Sequence, residues 1–158
     1  MKLKNFCASA GMAALACMMA WAQMPESILT IAEPAQLKVP RNGEVEQHLK
    51  LRLQPGYHVN SNKPNEDFLI PLRLTWDKNA AETVAIDFPK PQNEKSEFSD
   101  KPLAVFTGNF EIVTKFRRAQ GAVPGPGYLT GKLRYQACND KMCLPPKNIE
   151  VKVPLLVE

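Results

Sequence analysis

Polar and apolar residues alternate with period two along much of this chain. From Glu44 to Gln54, the residues Val45, Leu49, Leu51 and Leu53 fall on one face and Glu44, Glu46, His48, Lys50 and Arg52 on the other. That is the signature of a strand with one wet side. Ile70, Leu72, Leu74 and Trp76 repeat the pattern around Pro71, which suits an edge or a strand entry, and Val84, Ile86 and Phe88 repeat it before Pro89. Three more sets follow: Phe110, Ile112, Thr114 and Phe116; Leu129, Leu133, Tyr135 and Ala137; Ile149, Val151, Val153 and Leu155. With a short strand around Leu37 to Val39, the pattern predicts an all-β sandwich of about seven or eight strands. Turn residues punctuate it at Arg41-Asn42-Gly43, Gln54-Pro55-Gly56 and Pro124-Gly125-Pro126-Gly127. Two long connections, Gly56 to Phe68 and Pro89 to Thr107, do not alternate cleanly, and function is expected there.

Composition supports a β fold. Fourteen prolines in 158 residues leave little room for a helical bundle, and 44% hydrophobic residues provide a core for one domain without help from a disulfide. No repeat or heptad pattern is present. The net charge of +4 includes Lys2 and Lys4, and without them falls to +2, so no basic footprint for nucleic acid exists.

Met1 to Ala22 reads as a secretory signal. Lys2 and Lys4 form the basic start, an uncharged run extends from Phe6 to Ala22, and Ala20 and Ala22 offer the small residues that signal peptidase reads. Cleavage is expected before Gln23, leaving a domain over residues 23–158. The run is short beside the roughly 20 apolar residues of a membrane span, and no later stretch replaces it. Leu15-Ala16-Cys17 offers a second, weaker option of lipid attachment at Cys17, with the leucine one place too near the cysteine. Loss of the leader removes Cys7 and Cys17 and leaves Cys138 and Cys143 in an exported chain, where disulfides persist.

Cys138 and Cys143 lie in a turn between two alternating strands. A staple there would close a short loop and contribute only about 2 kcal/mol, and a stabilising bridge would more naturally join distant strands. Redox function and a local staple are about evenly matched on these grounds. A third reading gives Cys138, Met142 and Cys143 to Cu(I) as soft ligands, with His48 or His58 as extras. Zinc lacks a second ligand cluster. Asp140 and Lys141, inside the turn, carry opposite charges and read as solvated.

The segment YQACNDKMCLPP (135–146) resembles the active-site segment of the amino-terminal periplasmic domain of DsbD, the transmembrane thiol–disulfide reductase. GYHVNSNKP with FLIPLRLTW, then IDFPKP, SEFSDKP and the strand ending Thr114-Lys115-Phe116 resemble the same domain in order and spacing, so the likeness runs from about Ala35 to Leu155. The resemblance implies an immunoglobulin-like sandwich with no cofactor, acting as a monomeric electron carrier in a protein-disulfide reductase system that also serves cytochrome c maturation. A membrane-linked thioredoxin-like protein would be its donor and oxidised periplasmic thioredoxin-fold proteins its acceptors. It further implies that Cys143 joins the mixed disulfide and Cys138 resolves it. A cap loop containing Glu97, Phe98 and Ser99 would shield the pair, with Phe98 as its aromatic; the plainer expectation for Phe98 is an anchor in the core. Tyr135, His58 and Asn60 are expected to line the site, the last two where some members carry aromatic residues. His58 is also a candidate for helping to deprotonate a thiol. The chain departs from the best-known members in having four residues between the cysteines instead of five. It also has no counterpart of their membrane and carboxy-terminal thioredoxin-like domains, so its donor is expected to be another chain.

Overall fold

The computed structural model describes residues 27–96 and 99–158. The expected leader, its cleavage point, Cys7, Cys17, Glu97 and Phe98 therefore lie outside the described residues. Among the described residues there are twelve strands and no helix, and hence no helix long and apolar enough to cross a membrane. The strands are β1 (Leu29–Ile31), β2 (Leu37–Val39), β3 (Glu44–Leu53), β4 (His58–Asn60), β5 (Arg73–Trp76), β6 (Ala81–Asp87), β7 (Gln92–Ser96), β8 (Ser99–Thr107), β9 (Asn109–Arg118), β10 (Gly125–Tyr135), β11 (Ala137–Cys138) and β12 (Lys147–Val157). They form three four-stranded sheets, in the orders β1-β3-β9-β6, β2-β12-β10-β5 and β11-β4-β8-β7.

The first two sheets share one core. Leu49, Leu51 and Leu53 of β3 and Ile112 and Phe116 of β9 meet Leu129 and Leu133 of β10 and Val151, Val153 and Leu155 of β12. These are the residues that the alternation places inward, each contributing about 1.5–3 kcal/mol on burial. Gln47 falls on the same row of β3 and is buried too. Pairing is antiparallel throughout except between β12 and β2, where Leu37 to Val39 run parallel to Leu155 to Val157.

The third sheet holds the strands that the sequence pattern does not display. The stretch from Pro89 to Thr107, expected as an irregular connection, forms the β7–β8 hairpin instead. Leu103, Ala104, Val105 and Phe106 are buried in succession because both faces of this sheet are covered, which removes the alternation. Val59, Phe106 and Ala137 join the main core, while Leu103 and Val105 form a second small cluster with Leu69 on the opposite face. One expectation needs correction in β6. The register slips between Thr83 and Ala85, so Val84 turns to solvent and does not share the inward face with Ile86 and Phe88.

Candidate redox site

The cysteines face each other across a tight hairpin. The Leu144 N–H donates to the Ala137 carbonyl (2.8 Å) and the Asn139 N–H to the Met142 carbonyl (2.9 Å), which frames Cys138 and Cys143 as an opposed pair with Cα atoms 4.0 Å apart. Asn139 shapes the turn by accepting at Oδ1 from the N–H groups of Lys141 (3.0 Å) and Met142 (2.9 Å), a habit of asparagine in turns. Gln136 braces it by donating from Nε2 to the Leu144 carbonyl (3.0 Å). The two sulfurs are joined in a disulfide. Cys138 is 2% exposed, whereas Cys143 is open to solvent.

Two further elements close around the hairpin. The Gln54-Pro55-Gly56-Tyr57 turn has a Tyr57 N–H to Gln54 carbonyl bond of 3.2 Å and a φ of +81° at Gly56. That is the turn for which proline then glycine is suited, and it delivers the chain into β4. β4 pairs with β11 so that His58 stands opposite Cys138. Residues 61–72 then cross the outer face of the sheet. They are tied down by Ser61 N–H to the Ala104 carbonyl (2.8 Å), Asn60 Nδ2 to the Ile70 carbonyl (3.0 Å) and Asn65 Nδ2 to the Pro102 carbonyl (2.9 Å). Between this cover and the hairpin lies a pocket of about 270 Å³, lined by His58, Phe68, Leu69, Leu103, Gln136, Asn139 and both cysteines. Phe68 stands at its edge, 65% exposed.

A sequence profile of the family described as thiol:disulfide interchange protein DsbD, N-terminal, matches residues 26–155. The chain belongs to that family. Its fold is similar to the crystal structure of the Neisseria meningitidis DsbD N-terminal domain in the reduced form, with a TM-score of 0.54 and 19% identity over 84% of this chain and 89% of that one. It is also similar to the N-terminal periplasmic domain of ScsB from Proteus mirabilis, with a TM-score of 0.57 and 14% identity over 85% of this chain and 49% of that one. No curated protein matches the chain. The immunoglobulin-like, all-β sandwich expected from the resemblance is thus the fold, and thiol–disulfide interchange in general terms is the role that goes with the family.

In this DsbD-type domain the expected site residues are distributed unevenly. His58 lies beside the disulfide, its side chain 12% exposed and its Nδ1 3.3 Å from Glu94 Oε2. Burial lowers its pKa below the usual histidine value, against the opposing pull of Glu94 and Asp140. Asn60 is fully buried, and its Oδ1 has no hydrogen-bond partner among the described residues. Ser99 begins β8, and its hydroxyl donates to Glu66 Oε1 at 3.2 Å. Tyr135 sits in the main core and Gln136 reaches the pocket in its place. The Tyr135 phenol is pushed upward in pKa by burial, against a hydrogen bond to Ser27. His48 lies on β3 with Glu46 and Glu111, in a different sheet from the cysteines, so the fold does not gather the soft-metal set that would include it. Met142 is exposed on the hairpin.

Phe68, Leu69, Leu103 and Glu94 belong to the site and are not singled out by the sequence reading. Phe68 could have been noticed as the aromatic that directly follows the polar stretch from Ser61 to Asp67. Glu94 could not, because its approach to His58 depends on the register of two hairpins.

Proposed function

We propose that this chain is a periplasmic electron carrier that exchanges its Cys138–Cys143 disulfide with thioredoxin-fold proteins. Cys143 is the sulfur that meets the partner, and Cys138 is the one that resolves. The observation that carries this reading is the unequal exposure of the two cysteines at the mouth of one pocket. Exchange requires an attacking thiolate to reach a sulfur along an open path, and Cys143 has that path. When the domain is charged, a donor thiolate bonds to Cys143 Sγ and the Cys138 thiolate leaves; the donor's second thiol then displaces Cys143 and takes the donor's disulfide with it. When it discharges, the Cys143 thiolate attacks an acceptor disulfide, and Cys138 displaces the acceptor from Cys143. Two electrons and two protons enter the domain on charging, and two of each leave it on discharge. The segment containing Glu97, Phe98 and Ser99 caps the pair in this reading, and the domain works as a monomer.

Trapping tests it. Incubated with an oxidised thioredoxin-fold protein, reduced Cys138→Ala should accumulate a mixed disulfide through Cys143, seen by intact mass, and reduced Cys143→Ala should accumulate far less. A wild-type disulfide that resists reduced thioredoxin, or trapping only through Cys138, would overturn the assignment.

A further inference from the structure

His58 stands across from Cys138 in the β4–β11 register, so the two side chains leave the sheet on the same face. Its Nδ1 faces the Glu94 carboxylate, and its Nε2 is buried without a hydrogen-bond partner among the described residues. An ionised carboxylate can only accept, so this contact holds the ring proton on Nδ1 and leaves a lone pair on Nε2. Buried polar atoms are nearly always satisfied, and an orphan beside a reactive group calls for a physical reason. The disulfide supplies one. A sulfur in an S–S bond has no hydrogen to donate, whereas the Cys138 thiol of the reduced pair does.

We propose that His58 Nε2 is the proton acceptor and donor for Cys138, with Glu94 as the positioning residue that fixes the imidazole tautomer. The proposal rests on the exchange reading above. In the closing step, a mixed disulfide joins Cys143 Sγ to the partner's sulfur. Nε2 takes the proton from Cys138 Sγ, and the thiolate so formed bonds to Cys143 Sγ. The bond to the partner's sulfur breaks, and its electron pair leaves on the partner, which is protonated from solvent. Opening is the reverse: an incoming thiolate bonds to Cys143 Sγ, and Cys138 departs with the electron pair and takes the proton from the imidazolium. Cys138 needs this help because it is buried, and burial raises the pKa of a thiol.

The charged groups acting on His58 are Glu94 from β7 and Asp140 from the hairpin turn, and β8 presents uncharged Thr107 in register. Their pull toward the cation is weaker than the effect of burial, so the free lone pair persists to lower pH than in an ordinary histidine.

Reaction of the reduced protein with excess dithiobis-nitrobenzoate separates the steps. The first aromatic thiolate is released when Cys143 attacks and the second when Cys138 closes the ring. In the wild type, the second release should be flat above about pH 6.5, the ordinary histidine value. In His58→Gln it should be slower by about 100-fold at about pH 6, the lower end of a general base's contribution, and should go on climbing with thiol ionisation beyond about pH 8.5, the ordinary thiol value. The first release should change much less. Glu94→Gln should move the inflection to lower pH, because the carboxylate that favours the imidazolium is gone; a merely structural role would slow both releases without moving it. A second release in His58→Gln that follows the wild-type profile would overturn the proposal. If His58→Gln does not fold by circular dichroism, an unmoved inflection in Glu94→Gln overturns it instead. Absence of the first release would refute exchange itself, and the proton role with it.

Discussion

Gly131 marks the place where β5 presses closest to β10. A Cβ there would lie 2.6 Å from the Thr75 carbonyl oxygen and 2.6 Å from the Trp76 ring. Neither neighbour is free to yield: Thr75 presents backbone, and Trp76 donates from Nε1 to Thr114 Oγ1 at 3.1 Å and meets Phe116 edge-on at 5.3 Å. Gly131→Ala should therefore destabilise by about 1–3 kcal/mol, as overpacking does. A lower urea midpoint at unchanged slope is the expected measurement. Exchange by the cysteines should be unaffected, since the clash lies in another sheet. The same scale explains why the two cysteines differ: Cys138 belongs to the sheet and Cys143 to the returning arm of the turn.

The hairpin around the disulfide is held by more than its sulfurs. The Ala137–Leu144 and Asn139–Met142 hydrogen bonds, the Asn139 side chain and the Gln136 brace involve no sulfur atom. Closure of so short a loop contributes about 2 kcal/mol. The double replacement Cys138→Ala with Cys143→Ala should stay folded at 25 °C, lose about that much stability in denaturant and lose all electron transfer. Unfolding at that temperature would make the bridge a staple. Elements with one wet face were readable in the sequence: β3, β9, β10 and β12 carry the predicted rows inward. β8 was not, because cover on both faces erases the alternation. Neither was β4, whose three residues are too few to establish a period. The cysteine pair and His58, which line the pocket, were legible from their neighbours in sequence, whereas Asn60 is buried outside that lining. Glu94 and Phe68 follow from register and from how residues 61–72 cross the sheet, which no local pattern encodes, whereas the place of Tyr135 in the core agrees with its alternation with Leu129, Leu133 and Ala137.

Taken whole, the first strand among the described residues begins at Leu29, close beyond the expected cleavage point before Gln23. Removal of residues 1–22 would therefore leave every described strand in place. Exported protein should begin at Gln23 by intact mass; a mass that retains the leader, or a lipid adduct at Cys17, would refute soluble release. The working parts are also gathered at one sheet. The cover over residues 61–72 is linked to the turn end of the β7–β8 hairpin by Glu66 to Ser99 and Lys101 and by Asn65 to Pro102, so the two border the pocket as one structure.

The parallel pairing of β2 with β12 has a consequence for the order of assembly. β12 lies between β2 and β10, so it is an interior strand of its sheet although it comes last in the chain. A chain threaded across a membrane from its amino end cannot complete that sheet until Val157 has emerged, and contacts of such long sequence separation form slowly. Cys138 and Cys143 emerge earlier, in a turn that needs only local hydrogen bonds. In an exported chain the bridge would therefore be free to form while the core is still open, before the fold closes around it.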